Sequence, residues 1–89
     1  MKNIIPDYKN GVDIKSGYVA PSAGWVNWNG GQAGDKTTRY LYINGVVVGQ
    51  HGYYKYGDNF RCQFLVGKDD VITFGSGTSA KFFPCKGAV

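Results

Sequence analysis

The chain has 89 residues and a mass of 9.7 kDa, below the roughly 100–200 residues of an ordinary folding unit, so one domain over residues 1–89 is expected. Hydrophobic residues make up 43%, charged residues 18%, and the net charge is +4. Those values exclude a disordered chain, and no apolar run is long enough for membrane insertion by a helix.

Fourteen glycines, no glutamate and two leucines leave few helix formers, whereas nine valines, five isoleucines and fourteen aromatics favour pleated sheet. A chain this small buries only about 60–70% of the surface its unfolded form exposes. Association with copies of itself or with a larger partner is therefore expected. The ten lysines and arginines are scattered without a run or cluster, so no nucleic-acid partner is indicated.

In chain order, residues 1–16 hold Pro6, Asn10 and Gly11 with little periodicity and read as an arm, with a short strand expected at 12–15. Residues 18–20 form a brief extended piece stopped by Pro21. Residues 25–28 form a strand, and the glycine-rich run 29–36 a loop. Residues 37–43, then Asn44-Gly45, then 46–49 carry the clearest local signal. Asn-Gly between two β-rich runs suits a type I′ hairpin turn, which needs positive φ at both central residues. On the first arm Leu41 and Ile43 share one face, Tyr40 and Tyr42 the other. Both faces are bulky, as expected of a strand covered by the core on one side and by a partner on the other.

Residues 51–58, with His51, Tyr53, Tyr54, Lys55 and Tyr56, read as a second loop. Residues 59–66 alternate cleanly: Phe60, Cys62, Phe64 and Val66 point one way, Arg61, Gln63 and Leu65 the other. Strands at 70–74 and 79–83 follow, split by Gly75-Ser76-Gly77-Thr78. The core is expected to join the Phe60 face to Ile43, to Val71 or Ile72, and to Phe82 or Phe83. About seven short strands at such spacing predict an all-β fold, a small antiparallel β-sandwich of jelly-roll-like form.

Catalytic residues are not evident. His51 is the one histidine and lies beside no nucleophile signature. Asp69 and Asp70 are adjacent, so on a strand they point to opposite faces rather than across a cleft. No loop spaces its ligands for calcium, and Cys62 and Cys85 match no metal or redox spacing. Neither a metal nor a cofactor is expected. The cysteines read as small buried apolar groups, with a disulfide between neighbouring strands left open. Aromatic surface is what the chain has in excess. Trp25 is assigned to the core. Trp28, His51, Tyr53, Tyr54, Lys55 and Tyr56 are assigned to target binding, because tyrosine and tryptophan suit surfaces that are apolar at one end and wet at the other.

Three runs occur in a suggestive order: Gly17-Tyr18-Val19-Ala20-Pro21-Ser22-Ala23-Gly24-Trp25-Val26, then Leu65-Val66-Gly67-Lys68-Asp69-Asp70-Val71-Ile72-Thr73-Phe74, then Phe82-Phe83-Pro84-Cys85-Lys86-Gly87. With the central Ile43-Asn44-Gly45-Val46, this order resembles the small C-terminal head domains of bacteriophage and prophage tail fibres. It departs from them in the split Gly67-Lys68-Asp69. The resemblance implies a compact C1q/tumour-necrosis-factor-like sandwich that trimerises and caps a fibre. It implies a non-enzymatic virion protein for host-surface attachment or virion assembly, with other virion proteins or a host surface glycan or protein as partners. The expected interface uses Tyr40 and Tyr42, or the strand bearing Trp28. The alternative is a carbohydrate-binding module of a bacterial enzyme or adhesin. The start of the chain, 1–7, has no apolar signal-peptide region after Lys2, so a virion component assembled in the bacterial cytoplasm is expected.

Overall fold

The computed structural model describes residues 4–31, 38–51 and 59–87. Among them are eight strands: β1 (Val12–Ile14), β2 (Tyr18–Val19), β3 (Gly24–Gly31), β4 (Arg39–Ile43), β5 (Val46–His51), β6 (Asn59–Val66), β7 (Val71–Phe74) and β8 (Thr78–Pro84). They form two four-stranded sheets, ordered β1-β8-β3-β6 and β2-β7-β4-β5, with every pairing antiparallel. Consecutive strands alternate between the sheets, apart from the β4–β5 hairpin, and the last three return beside earlier ones: β6 beside β3, β7 between β2 and β4, and β8 between β1 and β3. This is the winding of an eight-stranded jelly roll, so the expected β-sandwich is present.

The core follows from strand alternation. Val26 and Trp28 on β3 lie between Ala80 and Phe82 on β8 and the Cys62 and Phe64 positions on β6. Val26, Trp28, Leu41 and Ile72 have no exposed surface, and Phe82 keeps 2%. Phe60, Cys62 and Phe64 pack against this core half-buried, because β6 is an edge strand, while Val66 is buried. The alternatives left open in the sequence resolve by parity. Ile72 and Phe82 face inward, Val71 is exposed, and Phe83 lies on the outer face beneath Tyr8 at 5.2 Å.

Pro84 closes β8, which is an interior strand between β1 and β3. It is tolerated there because it lies beyond the end of the short β1 pairing, and its carbonyl accepts from Asp7 N at 2.7 Å. Trp25 leaves the core as well. It shares the outer face with Phe83, and its Nε1 donates to Ile4 O at 2.7 Å.

The β4–β5 hairpin turns at Asn44 (φ 54°) and Gly45 (φ 80°), as the Asn-Gly pair demands. A bulge then shifts the register between Leu41 and Tyr42, leaving Val48 without an opposite residue. Beyond it Gly49 faces inward where no side chain fits. A Cβ there would lie 2.9 Å from Phe64 Cζ and 3.0 Å from Trp28 Cζ3. Gly49→Val should overpack the core and cost about 1–3 kcal/mol, read as a lowered urea midpoint.

Candidate functional site

Residues 29–36 and 51–58 were expected as loops, but β3 runs on to Gly31 and β5 to His51, and these two strand ends lie at one end of the sandwich. Gly31 pairs with Asn59, and Arg39 with His51, so the ends of β3 and β5 and the starts of β4 and β6 lie together there. Tyr53, Tyr54, Lys55 and Tyr56 lie outside the described residues. His51 is inside them. It is half-buried, and its ring stacks on Phe60 at 4.2 Å with planes 24° apart. Trp28 is not at the surface, where its assignment to target binding would need it. It is wholly buried, with its ring 4.6 Å from that of Phe60. Parity explains the correction: Trp25 and Trp28 are three apart on one strand and so face opposite sides, and the core took Trp28.

Beneath the same end lies Arg39, only 5% exposed. Its guanidinium rests against Gly77, whose φ is 82° and where a Cβ would approach Nε and Nη2 to 3.3 Å. Composition showed Arg39 only as one of ten scattered bases. The signal that marks it is its place two residues before Leu41 on the inward face.

The outer faces of the sheets differ in chemistry. On the β1-β8-β3-β6 sheet one row reads Asp13, Lys81, Asn27, Gln63 across all four strands, and the next reads Ser79, Asn29, Arg61. Lys81 Nζ lies 3.8 Å from Asp13 Oδ1 with both side chains well exposed, a contact of little energetic weight. On the β2-β7-β4-β5 sheet the outward positions are Val19, Val71, Thr73, Tyr40, Tyr42, Val47 and Gln50. None is charged. Val19 is 52% and Val47 48% exposed, and the half-buried rings of Tyr40 and Tyr42 lean together at 6.2 Å. Tyr42 sits between Thr73 and Val47, at the centre of the face.

At the opposite end from the loops, one network ties two turns. Asn44 Nδ2 donates to Asp70 Oδ1 at 2.8 Å, Gly67 N donates to Asp70 Oδ2 at 2.8 Å, and Val71 N donates to Asn44 Oδ1 at 2.8 Å. The Gly67 amide first, and the Asn44 amide second, hold the Asp70 carboxyl below its ordinary range, against a small opposing effect of burial. A carboxyl lowered by folding contributes stability in full above its unfolded value, about 3.9, and loses it as pH falls through the folded value. The urea midpoint of the wild type should therefore drop below about pH 4 by more than that of Asp70→Asn.

Cys62 and Cys85 are free thiols. Strand β3 separates their strands, and Cys62 lies level with Ala80 while Cys85 follows Pro84, too far apart for the Cα spacing a disulfide needs. Among the described residues no group of three or more His, Cys, Asp or Glu could hold a metal ion. No helix there is long and apolar enough to cross a membrane. What the arrangement offers is an uncharged, partly exposed valine–tyrosine face on one sheet and, at one end, the strand ends that flank 32–37 and 52–58.

No family model, no curated protein and no solved structure matches this chain. The fold itself defines the class: a small all-β, two-sheet sandwich.

Proposed function

We propose that this chain is a non-enzymatic phage or prophage virion module, similar to a tail-fibre head domain, which assembles as a homotrimer and attaches to a host-surface glycan or protein. The observation that carries the reading is the uncharged valine–tyrosine face of the β2-β7-β4-β5 sheet. A chain of net charge +4 repels its own copies, and an uncharged apolar face is where copies meet at least electrostatic cost. The motif order across 17–26, 65–74 and 82–87 supports the virion assignment, and jelly rolls recur in viral capsid and lectin domains. Assembly in the bacterial cytoplasm, ahead of incorporation into a virion, belongs to the same reading. Burial of Trp28 takes away one of the aromatic groups on which the alternative, a carbohydrate-binding module, would stack a sugar; its other candidates, Tyr53, Tyr54 and Tyr56, lie outside the described residues.

Attachment is assigned to His51, at the end of β5, and to Tyr53, Tyr54, Lys55 and Tyr56, which follow it in the chain, because binding residues concentrate on the connections of a rigid scaffold. The experiment is adsorption of labelled protein to a panel of bacterial cells. Tyr53→Ala with Tyr54→Ala should abolish retention while leaving solution mass and melting temperature intact. If the double variant instead dissociates into monomers, the segment is an assembly element and the attachment site lies elsewhere.

A further inference from the structure

Half of the six asparagines precede glycine: Asn10–Gly11, Asn29–Gly30 and Asn44–Gly45. This is the dipeptide in which a backbone amide most readily reaches the preceding side chain, since glycine puts no Cβ in the way. The fold secures the three amides unequally. Asn44 is held at both ends, its Nδ2 by Asp70 and its Oδ1 by Val71 N. Asn29 lies in the interior strand β3, paired with Arg61 and Ser79 on either side, and its Oδ1 accepts from Ser79 Oγ at 3.0 Å. Asn10 is exposed at the end of a 3-10 turn, Tyr8–Asn10, with one side-chain bond among the described residues, Nδ2 to Asp7 Oδ2 at 2.7 Å. Its Oδ1 accepts nothing from the described residues.

We propose that Asn10 is a site of spontaneous deamidation and that its conversion releases the N-terminal segment from the sandwich. The Gly11 amide nitrogen attacks Asn10 Cγ. The new N–Cγ bond forms as the Cγ–Nδ2 bond breaks, and ammonia leaves with the proton that Gly11 N gives up. Water then opens the succinimide at either carbonyl, leaving aspartate or isoaspartate at position 10. No other reactant is needed, and the step is independent of the attachment reading above.

The consequences follow from the surroundings. The segment is fastened by Trp25 Nε1 to Ile4 O, Asp7 N to Pro84 O and Lys86 N to Ile5 O, and by the Tyr8 ring on Phe83. Aspartate at position 10 exchanges a donor for a second carboxylate beside Asp7, which already caps the turn by accepting from Lys9 N. Isoaspartate lengthens the backbone by one methylene directly before Gly11. Gly11 lies so close to the Phe83 ring that even a methyl group has no room there.

The test is peptide mapping by mass spectrometry of the full chain during incubation in warm, mildly alkaline buffer, with Trp emission followed in parallel. Amide loss should appear first at Asn10, several-fold faster than at Asn44, with Asn29 intact. Emission should shift red as Trp25 loses its cover, since Trp28 stays buried. Asp7→Ala, which frees the Asn10 amide, should speed the loss several-fold. Asn10→Gln, which keeps the donor, should hold emission constant. The proposal is overturned if Asn44 or Asn29 converts as fast as Asn10, if Asp7→Ala leaves the rate unchanged, or if Asn10 converts with no change in emission.

Discussion

Replacing Trp28 by alanine should unfold most of this protein. The indole is completely buried, touches Phe60, and lies against the position of Gly49 from the opposite sheet. Truncating a buried tryptophan removes its transfer free energy and leaves a cavity that a sandwich held by two rigid sheets cannot close, at a cost of about 3–5 kcal/mol. The whole stability of a small domain is about 5–15 kcal/mol, and 89 residues sit near the lower end. One term works the other way: Trp28 Nε1 is buried without an acceptor among the described residues, so its removal also relieves an unpaired donor. Circular dichroism during thermal melting reads the result. An unchanged melting temperature would mean that the inner face of β3 has been misassigned.

The second large effect is expected at Tyr42. Glutamate there would place a charge at the centre of the uncharged face, between Val47 and Thr73. In a lone chain that position is half-exposed, so the charge stays hydrated and the fold survives. In an assembly the same charge would lose its water without gaining a partner, a penalty of several kcal/mol per interface. Tyr42→Glu should therefore sediment as a folded monomer. Lys81→Glu, on the opposite outer face, should leave the mass of the assembly unchanged. Equal behaviour of the two variants would remove the β2-β7-β4-β5 face from the account.

The fold was legible where local chemistry left one answer. The alternation of Phe60, Cys62, Phe64 and Val66 put the right side of β6 inward. Asn44-Gly45 placed the hairpin turn to the residue. Parity was harder to read where both faces of a strand are aromatic. Trp25 and Trp28 exchange the roles expected of them because the N-terminal segment covers Trp25 from outside, a long-range contact that no local pattern encodes. The Phe82–Phe83 pair has the same ambiguity, settled by Tyr8 on one side and Tyr18 on the other. Arg39 was missed because a cation is not sought on an inward face, although its spacing from Leu41 and Ile43 places it there. Of the candidate site, Tyr40 and Tyr42 are on the outer face where alternation put them. The tyrosines of 53–56 lie outside the described residues.

The mass of the wild-type protein in solution tests the central claim most directly, because the reading requires copies of this chain to cover each other's uncharged face. Sedimentation equilibrium at micromolar concentration should give about three times the 9.7 kDa of the single chain, and the value should fall to that of the single chain on Tyr42→Glu. A wild-type protein that sediments as a monomer across that range would contradict it.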